Sequence, residues 1–172
     1  MPIVASDIKY RISGGASNTN PNLALGGAMS TVAGGIITTD VLNNVWDNVA
    51  GAESSAGDTE YRCIYVRNEH ATLTLTTSKV WISSNTTSTD DEVDIALGGE
   101  GKNGTAETVA NENTAPVGET FSHPTTFAGG LSLTDLAPND FYPVWIRRTV
   151  NASAAAFNAD AYTLSVQGET AA

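Results

Sequence analysis

The feature that most constrains the fold is a series of short β-rich runs, separated by turn residues, that begins near Thr59 and continues to the end of the chain. The candidate strands are residues 61–68, 72–75, 79–83, 93–97, 121–127, 141–150 and 162–167. No helical segment of crossover length separates them, which argues against a parallel α/β sheet. The pattern predicts an all-β fold in which residues 59–172 form an antiparallel β-sandwich.

The N-terminal 40 residues have a different composition. Apolar residues partly alternate with polar ones up to residue 12, and glycine pairs then recur up to residue 35. We interpret residues 1–40 as an extended, glycine-rich N-terminal arm that docks on another subunit. Its predicted contact residues are Ile3, Val4, Ile8 and Tyr10.

Residues 41–58 are assigned to a short helix and a linker. A helix over residues 41–49 is predicted because four apolar side chains recur at i, i+3, i+4 and i+7, namely Leu42, Val45, Trp46 and Val49. The turn-forming composition of residues 51–58 then ends the pattern. At most one short helix is therefore expected in the chain.

The charge balance argues against several kinds of partner. The chain has 8 Lys and Arg against 19 Asp and Glu, a formal net charge of −11, and such a surface repels nucleic-acid phosphates and anionic lipids. No stretch approaches the roughly 20 apolar residues of a membrane span, and the N-terminus lacks a secretion-signal pattern. We expect synthesis in the cytoplasm and no direct contact with nucleic acid or membrane.

Motifs for catalysis or cofactor binding are weak. Residues 99–104 match the letters of a dinucleotide fingerprint, but the following segment has Pro116 and Gly118 where the motif requires a helix. Neither His70 nor His123 has a catalytic context, and the single cysteine, Cys63, lies in a predicted strand, where it packs as a small apolar residue. We therefore expect no enzyme activity, no catalytic residue and no cofactor.

One acidic stretch is a candidate cation site. Four carboxylates lie beside the strand at 93–97, which are Asp90, Asp91, Glu92 and Asp94. Carboxylate oxygens are calcium ligands, but the twelve-residue binding loop with its central glycine is absent. A solvated acidic turn is the favoured interpretation, and a metal site remains the alternative.

Three tryptophans allow two interpretations. Trp81 and Trp145 are flanked by β-branched residues, as in strands of a packed sheet, which favours burial of both rings. If Trp46, Trp81 and Trp145 instead shared one exposed face, they would form a sugar-stacking platform. The alternative function is therefore a carbohydrate-binding module or adhesin.

Residues 131–140, followed by the strand at 144–150, resemble a stretch of the immunoglobulin-like domains of bacterial surface proteins. That stretch has a leucine, a short gap, Leu-Ala-Pro-Gly and then a strand, and Asn139 occupies the position of its glycine. The resemblance implies an Ig-like or jelly-roll-like sandwich.

The order of four segments is similar to that of small virion structural proteins of tailed bacteriophages. These segments are residues 42–49, 57–68, 79–82 and 145–148. The resemblance implies a non-enzymatic virion subunit, most simply a decoration or cement protein of the capsid, with a neck, tail or baseplate component as the alternative. The implied partners are the major capsid protein or other virion subunits, with this chain in multiple copies or as a homo-oligomer. No binding residue is transferred by this resemblance.

Overall fold

The computed structural model describes residues 2–170, so residues 1, 171 and 172 of the predicted arm and sandwich lie outside the described residues. The strands are β1 (Ile8–Ile12), β2 (Gly26–Gly27), β3 (Asp58–Asn68), β4 (Leu75–Ser84), β5 (Asp91–Leu97), β6 (Ala106–Thr108), β7 (Leu131–Leu136), β8 (Phe141–Val150) and β9 (Thr163–Thr170). One short α-helix, α1 (Gly51–Ala56), and 3₁₀ turns at Ala5–Asp7, Pro21–Leu23 and Ala33–Gly35 complete the regular structure of this part of the chain.

Two antiparallel sheets pack face to face. One has the strand order β1-β3-β8-β5, and the other has the order β7-β4-β9. Alternate residues of β3 and β8, such as Ile64 and Ile146, point into the space between the sheets and meet Val80, Ile82 and Leu133 of the other sheet. The predicted all-β sandwich with one short helix is therefore confirmed.

The four-stranded sheet is buried on its other face as well. The remaining residues of its central strands, including Cys63, Tyr65 and Trp145, pack beneath Met29 and Val109. A small antiparallel pair formed by β2 and β6 belongs to this outer layer. Burial of both faces explains why apolar residues follow one another without alternation at 63–66 of β3 and 141–146 of β8.

Within residues 2–40, β1 belongs to the four-stranded sheet, so the fold does not begin at the predicted residue 59. Strand β1 pairs with β3 from Ile8 opposite Asn68 to Ile12 opposite Ile64, and forms the edge of the four-stranded sheet. The glycines after it allow close backbone contacts. Gly26 has a φ of +89°, and a Cβ there would overlap the carbonyl oxygen of Glu107.

The helix predicted over residues 41–49 is wrong. That segment is irregular, and Asn43 has a left-handed φ of +58°. Val45 and Trp46 are both buried, whereas Leu42 is 71% exposed and Val49 is also exposed, so the four apolar side chains do not share one buried face. The helix forms in the next segment instead, where the Glu53 carboxylate accepts a 2.5 Å hydrogen bond from the Ala50 amide and caps α1.

Two further strand predictions are corrected by the structure. Residues 72–75 and 79–83 do not form two strands, because β4 continues across a bulge at Thr77, which has a φ of +50°. Residues 121–127 form no strand. Ser122 bridges to Ile95 in one sheet, and the Pro124 carbonyl accepts a hydrogen bond from Ile82 in the other. This segment crosses between the sheets and pairs only briefly with each.

Candidate functional site

A cavity of about 830 Å³ lies between two irregular segments, residues 39–49 and residues 154–162. We call these the first and second cavity loops. The side chains of Ile64, Val93 and Val150, from the four-stranded sheet, also line the cavity. Its volume falls within the roughly 300–1,000 Å³ typical of ligand pockets.

The rim of the cavity is apolar and exposed. Four of the nine large apolar side chains that are exposed among residues 2–170 line this cavity, and they are Val41, Leu42, Val49 and Phe157. Leu42 is 71% exposed and Phe157 is 52% exposed. Such a concentration of exposed apolar surface around one opening is typical of a binding surface.

A network of charged residues lies behind one wall of the cavity, which Trp46, Asp47 and Arg148 line. The ring of Trp46 lies between two guanidinium groups, 5.2 Å from that of Arg62 and 5.0 Å from that of Arg148. The Arg148 Nε donates a 2.7 Å hydrogen bond to Glu60 Oε2, and Arg62 Nη2 lies 2.5 Å from Glu112 Oε2. Each of these two buried arginines therefore has its own carboxylate.

Asp47 completes this charged wall. Its Oδ1 lies 3.8 Å from Arg62 and 4.0 Å from Arg148, and its carbonyl accepts a 3.2 Å hydrogen bond from Arg148. The carboxylate oxygens of Asp47, Glu60 and Glu112 lie close enough together to hold a cation. Because the guanidinium groups of Arg62 and Arg148 already pair with these carboxylates, we interpret this group as a structural ion network.

A second acidic group at the cavity has no such partner. Asp91, at the start of β5, and Asp160, in the second cavity loop, bring their carboxyl groups together. Burial, followed by the neighbouring Asp160, raises the pKa of Asp91 to about 7. Among the described residues, Asp91 Oδ1 is buried without a hydrogen-bond partner, and neither residue has a salt bridge.

Asp160 also connects the second cavity loop to the turn before β5. Its Oδ1 accepts hydrogen bonds from the amides of Thr87 and Ser88, at 2.7 and 2.9 Å. One carboxylate therefore fixes the loop in place and also faces Asp91.

The four predicted cation ligands have three separate environments. Asp90 accepts a 2.9 Å hydrogen bond from the Ala155 amide through Oδ2, and Asp91 faces Asp160. Glu92 and Asp94 lie on the opposite face of β5 from Asp91, because strand residues alternate. The structure does not bring the four carboxylates together.

A different trio lies on that opposite face. Ligand atoms of Glu92, Asp94 and His123 are mutually within 4.8 Å. However, Asp94 is already paired with Arg147 at 2.6 Å, and His123 Nδ1 makes a 2.6 Å hydrogen-bond contact with the Val93 carbonyl. These existing contacts occupy the groups that a cation would need.

The remaining candidate motifs have structural roles. The glycine-rich residues 99–104 form turns between β5 and β6 and precede a strand, not a helix. Cys63 is fully buried, and burial raises the pKa of its thiol. His70 Nδ1 accepts hydrogen bonds from the amides of Thr72 and Leu73, within the turn that follows β3.

The tryptophans do not form a shared platform. Trp46 is 7% exposed and Trp145 is fully buried, in different parts of the molecule. Trp81 is partly exposed and contacts Phe127 edge to face, with ring centroids 5.7 Å apart. The two exposed coplanar tryptophans that a sugar platform requires are therefore absent from residues 2–170.

Three of the four predicted arm residues lie against their own chain. Ile3, Ile8 and Tyr10 pack on the core between the sheets, and the Tyr10 hydroxyl donates a 3.2 Å hydrogen bond to the Leu164 carbonyl. Val4 is 51% exposed. In this structure, therefore, only Val4 of the four presents most of its side chain outward.

The sequence did not predict either of the two acidic groups, which are Glu60 with Glu112 and Asp91 with Asp160. Glu60 and Arg62 could have been found, because alternation along β3 places them on the same face as Ile64 and Val66. The pairing of Asp91 with Asp160 had no local signal, since it depends on the path of the second cavity loop.

No protein-family model, curated protein or solved structure matches this chain. Within residues 2–170, no helix has the length and apolar character needed to cross a membrane. The site's own geometry therefore carries the functional argument.

Proposed function

We propose that the protein is a non-enzymatic structural subunit of a tailed-bacteriophage virion, and that it decorates and cements the capsid. It acts by burying surface against neighbouring subunits, the major capsid protein first among them. The similarity in the order of segments between residues 42 and 148 supports this assignment. A position in the neck, tail or baseplate is the alternative within the same class.

The observation that carries the proposal is the uneven distribution of exposed apolar side chains. Among the described residues, six of the nine large ones lie in the first 49 positions, which are Val4, Leu23, Val32, Val41, Leu42 and Val49. Side chains of this kind gain free energy when a partner covers them. The N-terminal segment is thus held on the sandwich while it offers contact surface to other chains.

The charged side chains fit the same function. The buried carboxylate of Glu60 and the partly exposed carboxylate of Glu112 are held by arginines, and Asp94 is held by Arg147. These pairs stabilise the subunit rather than provide a base or nucleophile for a reaction.

The first test is whether the chain is a stoichiometric part of the particle. Quantitative mass spectrometry of purified particles of the phage that encodes it should give a fixed ratio to the major capsid protein. A copy number that matches the positions of the capsid lattice would support decoration, whereas a few copies per particle would assign the chain to the neck or tail. Absence from particles would contradict the proposal.

Surface substitutions test the contact surface without damaging the fold. Deleting residues 2–12 would remove β1, so the better variant is Leu42→Ser, which changes an exposed side chain. We expect it to lower the number of copies per particle several-fold. Val117→Ser is the matched control, because Val117 is 83% exposed but lies away from the cavity, and it should be incorporated normally.

A further inference from the structure

Asp91 and Asp160 form a carboxyl pair that lines the cavity and has no salt bridge among the described residues. Five aspartates line the cavity (Asp40, Asp47, Asp90, Asp91 and Asp160), against one basic residue, Arg148. Arg148 is already bonded to Glu60 and lies against Trp46. The two facing carboxyls therefore have no cation within salt-bridge distance in the described part of the chain.

We propose that the cavity receives a lysine or arginine side chain, flanked by apolar residues, from the virion subunit on which this chain docks. Asp91 and Asp160 bind the cation, and the apolar rim covers the flanking residues. This inference rests on the function proposed above, and it names the partner's chemistry.

Charge complementarity identifies the occupant as basic. A buried carboxylate oxygen without a partner is costly, and two facing carboxyls add like-charge repulsion. A cation placed between them satisfies Asp91 Oδ1 and removes the repulsion. The charged groups near Asp91 are Asp160 and Arg148, and Thr86 contributes a hydrogen bond.

The exposed rim identifies the occupant as part of a larger molecule. Leu42 and Phe157 line the opening of the cavity, yet 71% and 52% of these residues' surfaces remain exposed. A free cation or a small molecule inside the cavity would leave these side chains in water. A polypeptide segment that inserts one basic side chain covers them with its neighbouring residues.

A second copy of this chain is a poor source of the cation. Six of its eight basic residues are in salt bridges, which are Arg11, Arg62, Arg67, Lys102, Arg147 and Arg148. Lys79 donates to the Ala128 carbonyl and lies over the Phe127 ring. Of the eight basic residues, Lys9 alone has neither a salt bridge nor a side-chain hydrogen bond among the described residues. We therefore assign the inserted side chain to a different subunit.

The test adds purified chain back to particles of a phage mutant that lacks its gene, and measures occupancy by quantitative electrophoresis. Asp91→Asn and Asp160→Asn should each raise the apparent Kd for the particle at least about tenfold, because each removes one carboxylate from a desolvated charge pair. Asp160→Asn keeps an oxygen that can accept the backbone hydrogen bonds from Thr87 and Ser88, and among the described residues the Asp91 carboxylate accepts no backbone hydrogen bond, so folding should be retained in both variants. Circular dichroism checks this directly.

Glu169→Gln is the matched control. Glu169 is an exposed carboxylate on β9, outside the cavity, so the variant removes one negative charge without touching the pair. It should bind like the wild type. Equal loss in all three variants would indicate a general charge effect and overturn the assignment of Asp91 and Asp160.

The pH dependence supplies a second readout. The pKa of Asp91 is about 7 in the free chain, and a bound cation favours its ionised form. Wild-type affinity should therefore rise between pH 6 and pH 8, while Asp91→Asn should lose this rise. A wild-type affinity that does not change over this range contradicts the proposal.

The outcomes separate the two proposals. If wild-type chain does not bind the particles, the proposed function fails. If it binds and both asparagine variants bind equally well, only the basic-side-chain inference fails. Calorimetric binding of Ca²⁺ alone that Asp91→Asn abolishes, or self-association that it abolishes, would also overturn the inference by assigning the pair to a metal or to a second copy.

Discussion

The two acidic groups of the cavity differ in their counter-charges. Glu60 and Glu112 face guanidinium groups of Arg148 and Arg62, with Trp46 between the arginines. Asp91 and Asp160 face each other, and among the described residues neither has a salt bridge. The carboxylates of the first group have their counter-charges within the chain, whereas ionised Asp91 and Asp160 gain a counter-charge only when a cation binds.

The first group therefore contributes to the stability of the chain, and the second contributes to binding a partner. A buried pair that satisfies itself fixes the position of Trp46 and of the first cavity loop. A carboxyl pair left without a cation reduces the stability of the free chain, and that loss is recovered on docking. The variants below test this contrast, from the largest expected effect to the smallest.

Breaking the paired group should have the largest effect. Glu60→Gln leaves Arg148 as a buried charge without its carboxylate, which we expect to lower the free energy of unfolding by about 3–5 kcal/mol. Urea denaturation followed by tryptophan fluorescence measures the change. A loss below about 1 kcal/mol would mean that the pair is hydrated and not structural.

Removing the ring between the arginines should have an intermediate effect. Trp46→Leu keeps an apolar side chain but loses both cation–π contacts, for an expected loss of about 1–2 kcal/mol. Trp81→Leu is the comparison variant, because Trp81 is partly exposed and packs on Phe127 rather than on a cation. In thermal unfolding, Trp46→Leu should lower Tm more than Trp81→Leu does. A larger loss of Tm for Trp81→Leu would contradict the structural role of the network.

Removing a carboxylate from the Asp91–Asp160 pair should raise the free energy of unfolding, and the size of the gain should depend on pH. Because the pKa of Asp91 is raised to about 7 in the folded protein, from roughly 4 in an unfolded chain, the folded state binds more protons between these values. The contribution of Asp91 to the free energy of unfolding therefore falls as pH rises from about 4 to 7. Asparagine does not titrate and avoids that loss.

Asp91→Asn should accordingly stabilise the free chain at pH 8 and leave it unchanged at pH 4. We expect a gain of about 1 kcal/mol after solvent screening, which corresponds to about 2–4 °C in Tm. Scanning calorimetry at both pH values measures it, with Glu169→Gln as the variant that should show no such pH dependence. Destabilisation by Asp91→Asn at pH 8 would show that the carboxylate is already satisfied.

The sequence predicted the fold class because short strands and frequent turns are local features. It also predicted residues 141–150 as a strand, and β8 has these bounds. The helix was misplaced because Trp46 is held by arginines of β3 and β8, which are distant in sequence. The glycines of residues 13–35 indicated a flexible arm, yet Gly14 and Gly26 allow close backbone contacts within the sandwich.

The candidate site was harder to predict than the fold. Asp91 was identified only as one of four carboxylates in an acidic stretch, and strand alternation separates it from Glu92 and Asp94. Its partner, Asp160, lies in an alanine-rich segment that has no regular structure. Pairing between a strand residue and a residue of an irregular segment has no periodic signal, so only the three-dimensional path of the chain reveals it.

A cryo-EM reconstruction of the purified phage particle tests the central claim most directly. The account predicts ordered density for this chain at symmetry-related positions on the capsid exterior, with the cavity facing a neighbouring subunit and a basic side chain between Asp91 and Asp160. A particle in which this chain is ordered but the cavity opens only to solvent would contradict that claim.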